Sequence, residues 1–134
     1  SLEGGIVIKT GQLNHPNGAC GYRIEFADKV IAICTDTEHF EGRIDDNVVD
    51  LAKDADIMVY DSAYTDEEYQ NFKGWGHSTW QEALKVAEAA NVKETLLFHH
   101  DPSHNDEKMD QIAQEVSSLR SGVRPAIEGE TITI

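Results

Sequence analysis

The stretch DNVVDLAKDADIMVYD, residues 46–61, decides the fold class because it joins a helix to a buried strand. Its first part repeats apolar residues at the spacing of one helix face, and Asp46 stands where it can cap that helix. Its second part, residues 56–61, has the length of a buried strand. A helix that leads directly into such a strand predicts an α/β protein.

Upstream of this unit the sequence predicts a β-hairpin. Apolar and polar residues alternate over residues 22–26, a tight turn follows at residues 27–29, and residues 30–34 are almost continuously apolar. Such an apolar run is typical of a strand that is covered on both faces. Residues 6–8 add a short β-branched run near the start of the chain.

Downstream, helices and strands continue to alternate. The pattern predicts a short helix capped by Thr65, a longer helix beginning at Ser78 or Thr79, a strand over residues 93–98, a final helix capped by Asn105, and one or two short strands within residues 123–134. The resulting order, β-β-α-β-α-α-β-α-β, predicts a single α/β domain over residues 1–134 with mixed strand directions.

The composition is that of a folded, strongly acidic protein. Hydrophobic residues make up 40% of the chain, and 25 acidic residues against 11 basic ones give a formal net charge of −14. A surface of this charge repels polyphosphates and anionic membranes, so we expect neither nucleic acid nor a membrane as a partner. No apolar run approaches the ~20 residues of a membrane helix, and the expected location is the cytoplasm.

The two cysteines do not suggest a cross-link. Cys20 and Cys34 lie in strand-like apolar runs and form neither a CxxC motif nor a multi-cysteine cluster. We therefore expect buried, reduced thiols and no structural zinc cluster.

Histidines and acids collect in turns and just after predicted strands. They are His15, Asp36, His39, Asp61, His77, His99, His100 and His104. Taken singly, an acid after a strand is usually a turn residue, and a histidine before a capping serine is usually hydrogen-bonded at the helix start. Taken together, imidazoles and carboxylates from several loops are the ligands that zinc, manganese or iron prefers. His104 is expected to lie on the surface, His39 to line a loop, and the pairs Glu67–Glu68 and Asp45–Asp46 to be solvated.

A succession of motifs carries a family resemblance. LNHPNGACGYRIE, TDTEH, DIMVYDSAYT, GWGHST and LLFHHDP follow one another within residues 13–106. This order resembles the C-terminal half of metallo-β-lactamase-fold hydrolases, particularly the branch related to the tRNA 3′-processing endonuclease tRNase Z. The resemblance implies an αββα sandwich, of which this chain supplies a mixed sheet flanked by helices.

The resemblance also implies roles for individual residues. By matched position, His15 binds one of two divalent metal ions, Asp36 bridges both, and His99 binds the second. Zinc is the expected metal, with manganese or iron as alternatives. His77, supported by Asp61, donates a proton to the leaving oxygen in a hydrolysis carried out by a metal-activated hydroxide. The acidic composition favours a small phosphoester or another small metabolite over tRNA as the substrate.

One departure from the family pattern leaves two hypotheses. The HxHxDH motif, which the resemblance assigns to the N-terminal half, does not occur in this sequence. Under the first hypothesis, this chain is the C-terminal half of a metal-dependent, phosphodiesterase-like hydrolase. The chain alone would then be inactive and would hold metal only at partial occupancy. The second is a non-catalytic binding or assembly module. In both cases we expect the face left by the missing half to drive self-association or to bind that half.

Overall fold

The sheet and its helices follow the α/β order that the sequence predicts. A computed structural model describes residues 3–134, in which one mixed sheet has the strand order β1-β2-β3-β4-β5-β6. The strands are β1 (Val7–Leu13), β2 (Ala19–Phe26), β3 (Lys29–Cys34), β4 (Ile57–Asp61), β5 (Glu94–Phe98) and β6 (Val123–Pro125). The helices are α1 (Asp46–Ala52), α2 (Asp66–Tyr69), α3 (Trp80–Ala89) and α4 (Asp106–Leu119), and a short 3-10 turn spans Glu3–Gly5. The predicted fold class, a mixed sheet flanked by helices, is confirmed.

Strand direction brings five strand ends to one edge of the sheet. β1 pairs with β2 and β2 with β3 in antiparallel fashion, whereas β3, β4, β5 and β6 pair in parallel. β1 therefore runs in the same direction as β3, β4, β5 and β6. We call the edge where these five strands end the carboxyl edge.

The first strand is longer than its sequence pattern indicates. The predicted run at residues 6–8 extends to Leu13, because β1 pairs with β2 from Val7 opposite Glu25 to Leu13 opposite Ala19. Leu51 of α1 packs onto this pair at Gly11, where an added Cβ would lie 3.1 Å from the leucine side chain. Tertiary pairing thus extends a strand that has little periodicity of its own.

Helix starts agree with the predictions except at α1. Thr65 and Asn105 cap α2 and α4 as expected, and of the two candidates for α3, Ser78 and Thr79, the cap is Thr79. At α1 the cap is Asp45, whose side chain accepts a hydrogen bond from the backbone N of Asn47 at 2.9 Å, and Asp46 is the first helical residue. Asp45 is also buried and not solvated. At the other end of the described chain, one short strand, β6, follows α4.

One face of the sheet carries the hydrophobic core. Residues of α1, α3 and α4 pack there against alternate residues of the strands, and the fully buried members include Ala32, Cys34, Val48, Met58, Leu97 and Val116. Burial raises the pKa of the Cys34 thiol to about 12, with a smaller contribution from Asp45. Cys20 is exposed, contrary to prediction. Within residues 3–134, no helix combines the length and apolarity needed to cross a membrane.

The opposite face, here called the outer face, is also apolar. Cross-strand partners such as Tyr22 and Ile33, or Ile33 and Val59, share a face, and strand alternation places them opposite the core. The large side chains Ile8, Tyr22, Phe26 and Phe98 are 42%, 43%, 53% and 46% exposed. The strands therefore carry apolar residues on both faces, while the core helices cover only one.

Candidate metal centre

The topology gathers the predicted site residues at the carboxyl edge. His15 follows β1, Asp36 follows β3, Asp61 ends β4 and His99 follows β5. His77 lies in the loop that precedes α3. Parallel strands end at the same edge of a sheet, and that edge is where α/β proteins gather reactive groups. For this reason His15 and His99, which are more than eighty positions apart in the sequence, lie at the same edge.

The ligand atoms of these side chains lie within metal-binding reach of one another. One atom each from His15, Asp36 and His77 lie within 4.8 Å of one another, and so do one atom each from Asp61, His77 and His99. Nε2 of His99 is 4.0 Å from Oδ1 of Asp36. The rings of His77 and His99 stack with centroids 4.5 Å apart. All five predicted residues belong to one cluster, with His77 common to both groups.

The backbone is strained at two members of this cluster. Asp36 has φ 57° and His99 has φ 64°, both in the left-handed region that disfavours residues other than glycine. Each follows the end of a core strand, where the chain must turn sharply across the carboxyl edge. Backbone strain of this kind persists where surrounding contacts hold it and is concentrated at functional sites.

Asp61 orients the imidazole of His77. Its carboxylate is fully buried, and Oδ2 lies 2.8 Å from Nδ1 of His77. The backbone N–H groups of Thr37, Ala63 and Ser78 also donate to this carboxylate. The hydrogen bond that His77 donates to Asp61 raises the pKa of His77, and burial opposes this effect only in part. Because Nδ1 of His77 is used in the contact with Asp61, Nε2 is the nitrogen that can face the cluster.

Glu38 supports the loop that carries His77. Its carboxylate is 8% exposed. Oε1 accepts hydrogen bonds from the Tyr69 hydroxyl at 2.6 Å and the Gly74 backbone N at 2.7 Å, and Oε2 accepts one from the Gly76 backbone N at 2.9 Å. Burial alone would raise the pKa of Glu38, but these donors outweigh it and hold the pKa below its ordinary value. The sequence analysis did not predict a role for Glu38. The feature that could have indicated one is its place in TDTEH, two residues after Asp36.

The same loop packs against His15. Gly76 has φ +92°, and a Cβ at this position would lie 2.4 Å from Cδ2 of His15. Glycine is therefore required for two reasons, the left-handed backbone and the close approach of the imidazole. Nδ1 of His15 accepts a weak hydrogen bond from the backbone N of Asn17 at 3.3 Å, so that Nε2 is left for the cluster.

The remaining histidines lie outside this cluster. His39 contacts the hydroxyl of Ser78 through Nδ1 at 3.0 Å, and its ring packs at a tilt of 45° against the Tyr69 ring. His104 was expected on the surface, but its side chain is only 4% exposed and Nε2 contacts both carboxylate oxygens of Glu68 at 3.1 Å. Glu68 is likewise not a simple solvated acid, because it also closes the capping box of α2.

The donor set fits a divalent metal ion. Three imidazoles and two carboxylates converge from loops, and such mixed nitrogen and oxygen ligands suit zinc, manganese and iron. The residues that the resemblance assigns to the HxHxDH motif are absent from the sequence, so the cluster offers only part of the ligand set implied for two metals.

Comparison with known proteins gives the same family. The chain matches the family described as the beta-lactamase superfamily domain over residues 4–100. It is 33% identical to ribonuclease Z from Brevibacillus brevis over 81 residues, which cover 60% of this chain and 26% of that protein. Its fold matches the metallo-beta-lactamase fold protein YhfI from Bacillus subtilis, with a TM-score of 0.78 and 21% identity, covering 97% of this chain and 50% of that one.

A second solved structure, the short form of human tRNase Z, matches with a TM-score of 0.73 and 23% identity over 100% of this chain and 44% of that one. The chain thus spans about a quarter of the ribonuclease Z it matches and half or less of the two solved structures. The expectation that nucleic acid is disfavoured as a partner is wrong, since proteins named for RNA processing are among the relatives. Net charge averages over the whole surface and does not describe one site on it.

The family match covers most of the chain, and the strand ends gather histidines and aspartates at one edge. The chain belongs to the metallo-β-lactamase superfamily.

Proposed function

We propose that this chain is the C-terminal part of a metal-dependent phosphodiesterase that hydrolyses RNA. The observation that carries the proposal is the cluster of His15, Asp36, Asp61, His77 and His99 at the carboxyl edge. The similarity to ribonuclease Z supports RNA as the substrate class.

In this proposal His15, Asp36 and His99 hold divalent metal ions, with zinc as the first choice. Asp36 would contribute to holding both ions, because its carboxylate has two oxygens that can each act as a ligand. When bound, the metal supplies Lewis-acid stabilisation of phosphoryl charge and lowers the pKa of water at the site.

His77 is proposed to donate the proton that the leaving oxygen requires. Asp61 fixes the ring by its contact with Nδ1 at 2.8 Å and favours the imidazolium form, so that Nε2 can carry a proton near neutral pH. Asp61 is fully buried and takes no direct part in binding the substrate. It is a positioning residue for His77.

The exposed outer face is a second argument that the active protein contains more than this chain. Exposed Tyr22, Phe26 and Phe98 lie on a sheet face that the core helices do not cover, and large apolar patches usually mark an interface. The chain also matches only part of its relatives' length. We propose that a second half, bearing HxHxDH, packs on this face and completes the ligand set.

Metal content tests the ligand assignment directly. The chain is purified without chelator, loaded with zinc and measured by elemental analysis and competition with a chromogenic chelator. We expect His99→Ala and Asp36→Asn to lose zinc affinity by roughly 10-fold to 100-fold, as for perturbed metal sites generally. His39→Ala, which removes an imidazole outside the cluster, is the matched control. Equal zinc affinity in all four proteins would remove Asp36 and His99 from the ligand list.

Hydrolysis tests the reaction. The chain is combined with an HxHxDH-bearing half and assayed on RNA substrates with extended 3′ ends. We expect His77→Ala to lower turnover by about 10²-fold to 10⁴-fold while zinc content is retained. Metal-loaded protein that cleaves no phosphodiester would favour the alternative, an assembly module built on the outer face.

A further inference from the structure

A groove beside the candidate metal centre has no part in the roles described so far. Residues 39–44 line one part of it, and the rest is lined by side chains from α2, from its C-cap Gln70 and from α3, including Lys85. The groove has a volume of about 500 Å³. We call it the Phe40 groove.

Arg43 is held over the Phe40 ring at this groove. The two residues form an isolated antiparallel bridge across a tight turn, in which Gly42 has φ 76°. The guanidinium carbon of Arg43 lies 3.8 Å from the centre of the Phe40 ring. This geometry is a cation–π contact, and both of its partners line the groove.

Arg43 also has no ion pair among residues 4–134, whose side chains the structure describes, although the chain carries 25 acids. The acids that line the groove have other partners. Glu82 contacts Lys85 at 2.9 Å, Glu41 pairs with Lys73, and Asp66 accepts a hydrogen bond from the Thr79 hydroxyl at 2.7 Å. The positive charge of Arg43 is therefore available to a ligand.

The groove leads toward the metal centre. Phe40 also lines a smaller cleft of about 180 Å³, whose wall includes Asn14 and His15. A polymer with its reacting phosphate at His15 would pass Phe40 and reach Arg43. Arginine and aromatic side chains together are the usual means by which proteins bind unpaired nucleotides.

We propose that Arg43 and Phe40 form a binding site for a single-stranded RNA nucleotide that flanks the phosphate to be cleaved. Arg43 contacts the nucleotide's phosphate or stacks on its base, and the Phe40 ring fixes the guanidinium plane. The inference rests on the proposed function for its substrate class, but it concerns binding and not hydrolysis.

The test measures binding without metal. Fluorescence anisotropy of a labelled single-stranded RNA of about ten nucleotides is recorded in EDTA, where the metal-dependent reaction does not occur. We expect Arg43→Ala to weaken binding about fivefold or more, and Arg43→Lys and Phe40→Leu to weaken it to an intermediate extent, because charge without a fixed plane is retained. Lys53→Ala is the matched control, since Lys53 is exposed and has no ion pair within the described residues. Circular dichroism of each variant is the control for folding.

The outcomes separate this inference from the proposed function. No RNA binding by the folded wild-type chain, or equal losses in Arg43→Ala and Lys53→Ala, would overturn the inference whether or not RNA is hydrolysed. A loss of RNA binding in Arg43→Ala that Lys53→Ala does not show supports the inference, even if the chain, which lacks HxHxDH, cleaves no RNA. If His77→Ala loses hydrolysis but binds RNA as the wild type does, His77 acts in the hydrolysis step and Arg43 in RNA binding.

Discussion

At the residue scale, Glu38 and Gly76 bind no metal but position the candidate site residues His15 and His77. Glu38 ties the backbone N–H groups of Gly74 and Gly76 to one buried carboxylate, and Gly76 in turn packs on the ring of His15. The position of His15 and the loop of His77 therefore depend on one acid and one glycine. Both are positioning residues.

Gly76→Ala should disturb the candidate metal centre through a steric clash, in addition to the backbone strain that any substitution at this φ causes. The new Cβ would lie 2.4 Å from the His15 ring, whereas Gly74, with nearly the same φ of +84°, has nothing within 4 Å. We expect both substitutions to destabilise the fold by about 1–3 kcal/mol through strain. Only Gly76→Ala should also weaken zinc binding. Urea unfolding and chelator competition measure the two effects, and equal zinc affinity in the two variants would contradict the role of Gly76.

Glu38→Gln should alter how stability depends on pH. The pKa of Glu38 in the folded protein lies below its ordinary value of 4.5, so its ionised form stabilises the fold above that pH. This contribution is lost as the pH falls below 4.5 through the folded pKa. We expect the variant to be less stable at neutral pH by about 1–3 kcal/mol, and the difference from wild type to shrink in acid. Urea unfolding from about pH 7 to pH 3 tests this, and a constant difference would contradict it.

At the element scale, helix caps follow local sequence while β1 depends on its partners. Asn105 accepts a hydrogen bond from the backbone N of Lys108, only three residues away, so its sequence context was sufficient to predict α4. β1 has mostly exposed residues, and its full length depends on pairing with β2 and on Leu51 packing at Gly11. Its extent could not be predicted from apolar periodicity.

Asn105→Ala should destabilise the fold by about 1 kcal/mol, because the substitution removes the cap of α4. Ser117→Ala is the control on the same helix. Its exposed hydroxyl bonds only to the carbonyl of Gln114 within the helix, so we expect little change or slight stabilisation. Thermal unfolding followed by circular dichroism compares the two. Similar melting temperatures for both variants would mean that the end of α4 is frayed.

At the scale of the whole molecule, the outer face should govern association. Tyr22 and Phe26 are exposed on an apolar sheet face, and we expect the 134-residue chain alone to self-associate at micromolar concentration. The double substitution Tyr22→Lys and Phe26→Lys should shift it toward monomer. Sedimentation velocity measures both, with Ile134→Lys, also exposed at 42%, as a control away from the sheet. A monomeric wild-type chain would contradict the prediction.

The sequence by itself determined the α/β class, the caps of α2 and α4, the start of α3 to within Ser78 or Thr79, and the five residues suited to a metal site, because these depend on local periodicity, local hydrogen bonds and side-chain chemistry. Only the tertiary structure decided that β1 runs parallel to β3, and that direction is what brings His15 to the same edge as Asp36, Asp61 and His99. It also decided that His104 is buried, that Cys20 is exposed and that Glu38 supports the loop of His77. These properties depend on contacts between residues far apart in the chain, which local pattern does not contain.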